Sequence, residues 1–293
     1  TYIREKLEQL RATEAINFFE RYRASEEPNQ WRAICHPYDQ HLLVNAGPGA
    51  GKTAVLVGRV VHLIREQGIQ PGDIIVLAFN RAVVFEIRKR VRQLFRPLGY
   101  AAYVKRLRVS TFHSLALRSL AQADGGRQKL PDREKLLSHF AQRLVTDTQF
   151  RNQVAGGCRT ILVDEFQDLT DDIYKILFQL YLGSRSDAGS GAGVMVIGDD
   201  DQDILRWQRP GKEFSELYFE NFQRDFGGNA LQPLPLRINF RSGVDIVDRS
   251  QTMIAGIFNS NQHSRRLKDF QLRAQQASAM SNVERIDWRG RDT

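Results

Sequence analysis

The chain has 293 residues, 42% of them hydrophobic, enough for one large domain or two modest ones with a real core. No apolar run approaches the roughly 20 residues that cross a bilayer, and no signal-peptide core opens the chain. Its two cysteines, Cys35 and Cys158, make neither a disulfide framework nor a zinc spacing, so a soluble protein of the reducing cytoplasm is expected, with no membrane partner and no structural metal. The formal charge of +8, carried mainly by arginine, favours a nucleic-acid partner, because guanidinium pairs bidentately with phosphate and stacks on bases.

In chain order, Tyr2 to Ala24 has apolar residues at helical spacing and predicts a leading helix, which Ser25 to Gln30 breaks. His41 to Ala46 predicts a short apolar strand, Lys52 to Gln67 a helix, Asp73 to Phe79 a strand and Arg81 to Phe95 a helix. Leu107 to Thr111 follows as a strand, and His113 to Gln149 as helical with a polar break at Ala123 to Lys129. Strands are expected at Ile161 to Val163, Val194 to Ile197 and Leu231 to Ile238, with a flexible loop at Gly183 to Gly193. A helix pattern at Gly243 to Phe258, a basic polar stretch to Met280 and a strand candidate at Val283 to Trp288 complete the series. Strands alternating with helices predict an α/β fold with a mostly parallel sheet flanked by helices.

Between the first strand and the helix after it stands Ala46-Gly-Pro-Gly-Ala-Gly-Lys-Thr53. In that context a glycine-rich string is a phosphate loop: the backbone of Gly47, Pro48, Gly49, Ala50 and Gly51 closes around phosphates at a helix N-terminus. Lys52 then reaches the β- and γ-phosphates and Thr53 places its hydroxyl on Mg²⁺, which makes ATP and Mg²⁺ the expected cofactors. Ile161-Leu-Val-Asp-Glu-Phe-Gln-Asp-Leu-Thr170 puts Asp164 and Glu165 at the carboxyl end of a buried strand, where open α/β sheets bind ligands. Alone, the pair reads as surface acids; beside a phosphate loop, Asp164 becomes the magnesium ligand and Glu165 the general base for water. Asp168 is expected at the start of the following helix, where negative charge suits the dipole.

The side-chain amide of Gln202 both donates and accepts, as a γ-phosphate sensor must. Arg241 is a candidate arginine finger, and Trp207 offers an indole face to a base. Phe79, Phe112 and His113 end apolar strands, so core and DNA contact both remain open for them. Arg81, Arg206 and Arg209 are candidate phosphate contacts beside them.

With Ala46 to Thr53, Leu162 to Asp168 and Val196-Ile-Gly-Asp-Asp-Asp-Gln202 in this order, the chain resembles the UvrD/Rep family of superfamily 1 DNA helicases over about residues 28 to 258. Asn29 to Ile34 is similar to the family's Q motif, whose glutamine, here Gln30, contacts adenine. Ala78 to Ala82, with Phe79, Asn80 and Arg81, is similar to motif Ia; Val109 to His113, with Thr111, Phe112 and His113, to the next DNA-contacting motif. Leu236 to Ser242 is similar to motif IV, whose arginine, here Arg241, reaches the γ-phosphate from a second motor domain. In the family pattern Gln167 relays between nucleotide and DNA-facing motif.

The resemblance implies a RecA-like P-loop NTPase domain and the start of a second RecA-like domain; Ser114 to Arg159, where the family usually has a sizeable accessory domain, is short and fits at most a small helical insertion. The expected division is residues 1–27 as an N-terminal helical extension, 28–236 as the first motor domain with 114–159 as the insertion, and 237–293 as an incomplete second one. It implies ATP-driven stepping along single-stranded DNA, with a duplex junction as a further candidate contact and DNA repair as the common setting. Ala46 stands where the family has glycine, Leu205 and Arg206 where it tends to an aromatic and a glycine, and nothing resembles motifs V and VI. A chain starting at Thr1 without Met reads as a fragment, so a non-catalytic nucleotide- and DNA-binding module stays open beside the motor.

Overall fold

The computed structural model describes residues 19–20, 22–96, 102–123, 125, 131–185, 191–202, 218–227, 231–260 and 271–276. Most of the expected leading helix, Leu205, Arg206, Trp207, Arg209 and the strand candidate at 283–288 lie outside them. Residues 19–20 and 22–23 are helical, as expected for the end of the leading helix, and α1 (Pro28–Cys35) begins inside the stretch expected to break the pattern: Pro28 fits the first helical turn and the Glu27 side chain caps it, accepting from Asn29 N.

Six parallel strands follow: β1 (Leu42–Ala46), β2 (Ile74–Ala78), β3 (Arg108–Thr111), β4 (Thr160–Val163), β5 (Gly193–Gly198) and β6 (Leu234–Leu236). Their order across the sheet is β3-β2-β4-β5-β1-β6. β1, β2, β4 and β5 are buried at every residue, as strands covered on both faces must be. Successive side chains alternate between two cores. Leu43, Ile75, Leu77, Ile161, Val163, Val194 and Val196 face one, and Leu42, Val44, Ile74, Val76, Leu162, Met195 and Ile197 face the other.

The second core is covered by α1, α2 (Lys52–Arg65) and α3 (Arg81–Phe95). The first is covered by α4 (Phe112–Ala123), α5 (Leu136–Thr146), α6 (Thr148–Ala155), α7 (Asp171–Ser184) and α8 (Tyr218–Phe222). The region expected as helical on either side of a polar break from Ala123 holds three helices: α4 ends at Ala123, and the helical part after the break divides into α5 and α6, with Asp147 capping α6 through Phe150 N at 2.8 Å. Thr170, not Asp168, caps α7 by accepting from Ile173 N, and Asp168 ends a short 3-10 turn instead. Gly183, expected in a loop, lies in the last turn of α7.

The expected strand Leu231 to Ile238 is two strands in two sheets. β6 is an edge, which is where Pro235 can sit without a missing ladder donor. The chain leaves it at Leu236 and enters β7 (Ile238–Gly243), which pairs in parallel with β8 (Arg273–Gln276) in a separate two-stranded sheet, with α9 (Val244–Ser260) packed on it.

Candidate active site

The loop after β1 closes on itself through left-handed glycines, Gly49 at φ 72° and Gly51 at φ 80°. An added Cβ on Gly47 would meet the Leu272 side chain at 2.0 Å, and one on Gly49 would meet Asn239 Oδ1 at 2.6 Å. The Gly49 carbonyl accepts from Phe240 N at 3.0 Å, and Gly47 N donates to Leu236 O at 3.2 Å. Pro48 sits in the turn between them. Gln30, buried on α1, donates through Nε2 to Ala50 O at 2.9 Å, fixing the loop's far side.

Across the sheet, Asp164 and Glu165 leave β4, with β5 between β4 and β1. Thr53 Oγ1 donates to Asp164 Oδ2 at 3.5 Å, and Lys52 Nζ lies 3.5 Å from Glu165 Oε2. Asp164 is 1% exposed, and burial, then the neighbouring Glu165 carboxylate, push its carboxyl up to about 7; Glu165 N–H, Lys52 and the Thr53 hydroxyl act in the opposite direction. Glu165 holds φ at 50°, the only left-handed non-glycine among the described residues, a strained conformation that surrounding structure must impose. Gln167 contributes by donating to Glu165 Oε2 at 2.8 Å while its Oε1 accepts from Asp199 N at 3.0 Å. Gln202 Nε2 then donates to Asp199 Oδ2 at 2.7 Å. A polar chain therefore runs from Lys52 through Glu165, Gln167 and Asp199 to Gln202.

Gly49, Ala50, Gly51, Lys52, Thr53, Glu165, Gln202 and Arg241 line one cavity of about 320 Å³. Asp164 reaches it through Thr53, and together they offer hard oxygen donors of the type magnesium takes. A larger cavity of about 680 Å³ adjoins it over Gln30, Tyr22 and Gly51. Arg90 and Phe240 line both, and sequence reasoning singled out neither. Phe240 stands between Asn239 and Arg241 in a stretch of β7 whose pairing is irregular, so alternation does not reveal that it shares the cavity with Arg241; Arg90 is one of many cations on α3 and carries no local signal.

The residues expected at DNA gather where β2 and β3 end, since Ala78 and Thr111 are in register. Arg81 is exposed and Asn80 caps α3 by accepting from Val83 N at 2.9 Å. Thr111 Oγ1 accepts from Ser114 N at 3.1 Å, while burial and then Arg133 lower the pKa of half-buried His113. Phe79 packs partly buried against the first core. Phe112, for which core and DNA contact were both open, has its ring 2% exposed within that core, because α4 begins there and turns it inward.

No described helix is long and apolar enough to cross a membrane. ATP-dependent DNA helicase UvrD1 of Mycobacterium bovis is 25% identical over 324 residues, covering 82% of this chain and 40% of its own length. ATP-dependent DNA helicase Rep of Escherichia coli is 24% identical over 291 residues, covering 73% of this chain and 41% of its own. The chain thus spans about two-fifths of each. Pif1 helicase from Bacteroides in complex with ADP-AlF3 and ssDNA is 15% identical over 79% of this chain and 46% of its own, with a TM-score of 0.40. The UvrD/REP helicase N-terminal domain model matches residues 26–126 and 123–226, well over half of the sequence, and the chain belongs to that family.

Proposed function

We propose that this chain is the nucleotide-hydrolysing motor region of a DNA helicase or translocase, which binds ATP with Mg²⁺ and single-stranded DNA and uses hydrolysis to step along the strand. The observation that carries this reading is the convergence of Lys52, Thr53, Glu165, Gln202 and Arg241 on one cavity, with buried Asp164 bonded to Thr53 behind it. Its relatives UvrD1 and Rep are ATP-dependent DNA helicases by name.

In this reading the backbone of Gly47 to Gly51 and the Lys52 ammonium hold the phosphates. Thr53 and Asp164 hold the magnesium ion, which supplies charge neutralisation on the phosphate oxygens when bound. Glu165 takes the proton from the attacking water, and Gln202 and Arg241 stabilise the charge that develops on the transferred group. Gln30 fixes the loop and reads the base edge, with the Phe240 ring as a stacking platform. Phe79, Asn80, Arg81, Thr111 and His113 form the single-strand edge, Phe112 supports it from within the core, and Trp207 offers its indole face to a base.

Lys52→Ala should reduce DNA-stimulated ATP hydrolysis by about a hundredfold or more while leaving thermal stability nearly unchanged. Unaltered DNA-stimulated turnover in that variant would remove the motor reading.

A further inference from the structure

Between Arg81 and Arg108 the sequence holds nine Arg or Lys and a single acid, Glu86, a formal +8 that equals the charge of the whole chain. The cations are not scattered around α3. At 3.6 residues per turn, Arg81, Phe85, Arg88, Lys89, Arg92 and Arg96 fall within an arc of about 100°, beside the arc that Ile87, Val91 and Phe95 bury in the core. Glu86 lies on another face and is taken by Arg90 Nε at 2.6 Å. Among the described residues no acid pairs with Arg88, Lys89, Arg92 or Arg96, and all four are exposed. Lys105 and Arg106, on the 3-10 turn before β3, are exposed too, and Arg92 and Lys105 line one cavity of about 150 Å³.

Two further features say what this stripe fits. Phe85 is 68% exposed in the middle of the cations. An aromatic face among phosphate-pairing groups suits unpaired bases, whereas a duplex keeps its base faces stacked away from such a ring. The stripe also has a direction. It starts at Arg81, next to Asn80 at the end of β2, and descends along the edge strand, where Arg88 Nη2 donates to Val109 O at 2.6 Å. Among the described residues no strand lies beyond β3 to cover it.

We propose that this face of α3 is a second, sequence-independent track for single-stranded nucleic acid, carrying the strand onward from the Asn80–Arg81 edge with Lys89, Arg92 and Arg96 on phosphates and Phe85 against a base. The inference rests on the single-strand reading given above and extends it about 22 Å along the helix.

The test is a salt series of single-strand affinities for the full chain, with a short oligo-dT that reaches only the edge and a long one that also covers the helix. The combined variant Lys89→Gln, Arg92→Gln, Arg96→Gln should lower the slope of log affinity against log salt by about 2 for the long strand and leave the short strand unchanged. Phe85→Ala should weaken the long strand by about fivefold or more without changing that slope. Basal ATP hydrolysis should stay intact in both, which shows that they fold. Equal long-strand binding by the variants and the unmodified chain overturns the track while leaving the edge in place. A loss confined to blunt duplex overturns it in favour of a duplex contact. Failure of the unmodified chain to bind either strand removes the single-strand reading itself, and the track with it.

Discussion

Gly49 shows how one position links the two sheets through the site. Its φ of 72° costs an L-residue about 1–2 kcal/mol, and a Cβ there would lie 2.6 Å from Asn239 Oδ1. That oxygen already accepts from Arg241 N at 2.8 Å and Ser242 N at 2.7 Å, so displacing it disturbs the turn that aims Arg241. Gly49→Ala is therefore expected to destabilise the chain by about 1–3 kcal/mol and to raise the KM for ATP. Gly72→Ala, where nothing lies within 4 Å and φ is not positive, should change neither. Thermal melts and steady-state ATPase on the pair check this; equal behaviour of the two variants would deny the loop–Asn239 contact any role. The glycine string was legible in the sequence because loop and helix N-terminus are adjacent in the chain. Asn239 was not, since its contact with the loop spans most of the sequence and leaves no local trace.

At the scale of elements, the position of α1 decides where Gln30 sits, and Arg59 on α2 sets that position. Arg59 is 1% exposed and donates to Ile34 O and Pro37 O at 3.0 Å each and to His36 O, closing the carbonyl end of α1. Burial lowers its pKa to about 10, which still leaves it charged at neutral pH. Two more contacts fix the same pair of helices. His62 meets the Trp31 ring edge-on at 6.1 Å between centroids, and a Cβ on Gly58 would meet Ile34 at 2.8 Å. Arg59→Met strands buried carbonyls at about 1–3 kcal/mol and should lower stability by roughly that much. Because Gln30 moves with α1, it should also raise the KM for ATP more than it lowers kcat, and Arg59→Lys should recover part of both. A drop in melting temperature with unchanged KM would leave Arg59 a purely structural cap. Periodicity identified α2 as a helix but did not distinguish this arginine from a solvated one, because burial of a cation depends on carbonyls supplied by another element.

For the whole molecule, the alternation of strand and helix was enough to read the parallel sheet, since covered strands must be continuously apolar and the linkers long. The split at Leu236 was not readable, because Arg237 is the single residue between β6 and β7, and one charged residue in a short apolar run reads as ordinary strand alternation. Across that split Glu27 acts as the joint. It is 3% exposed, and its Oε2 accepts from Arg237 N and, at 3.1 Å, from Ile238 N, while Asn29 Nδ2 donates to Pro235 O at 2.8 Å. One carboxylate thus ties the start of α1 to the first residue of β7, the strand that carries Phe240 and Arg241 to the cavity. Glu27→Ala leaves the backbone N–H groups of Asn29, Arg237 and Ile238 without their acceptor, at about 1–3 kcal/mol for each that stays buried, and loosens β7 against the phosphate loop. The expected result is a lower melting temperature together with falls in both ATP affinity and kcat. Glu27→Gln, which keeps one carbonyl oxygen, should restore most of each. A Glu27→Ala chain that melts earlier yet binds and turns over ATP unchanged would show that the site tolerates play between the two sheets. A matching loss in all three would show that Arg241 works only when the joint holds it in register.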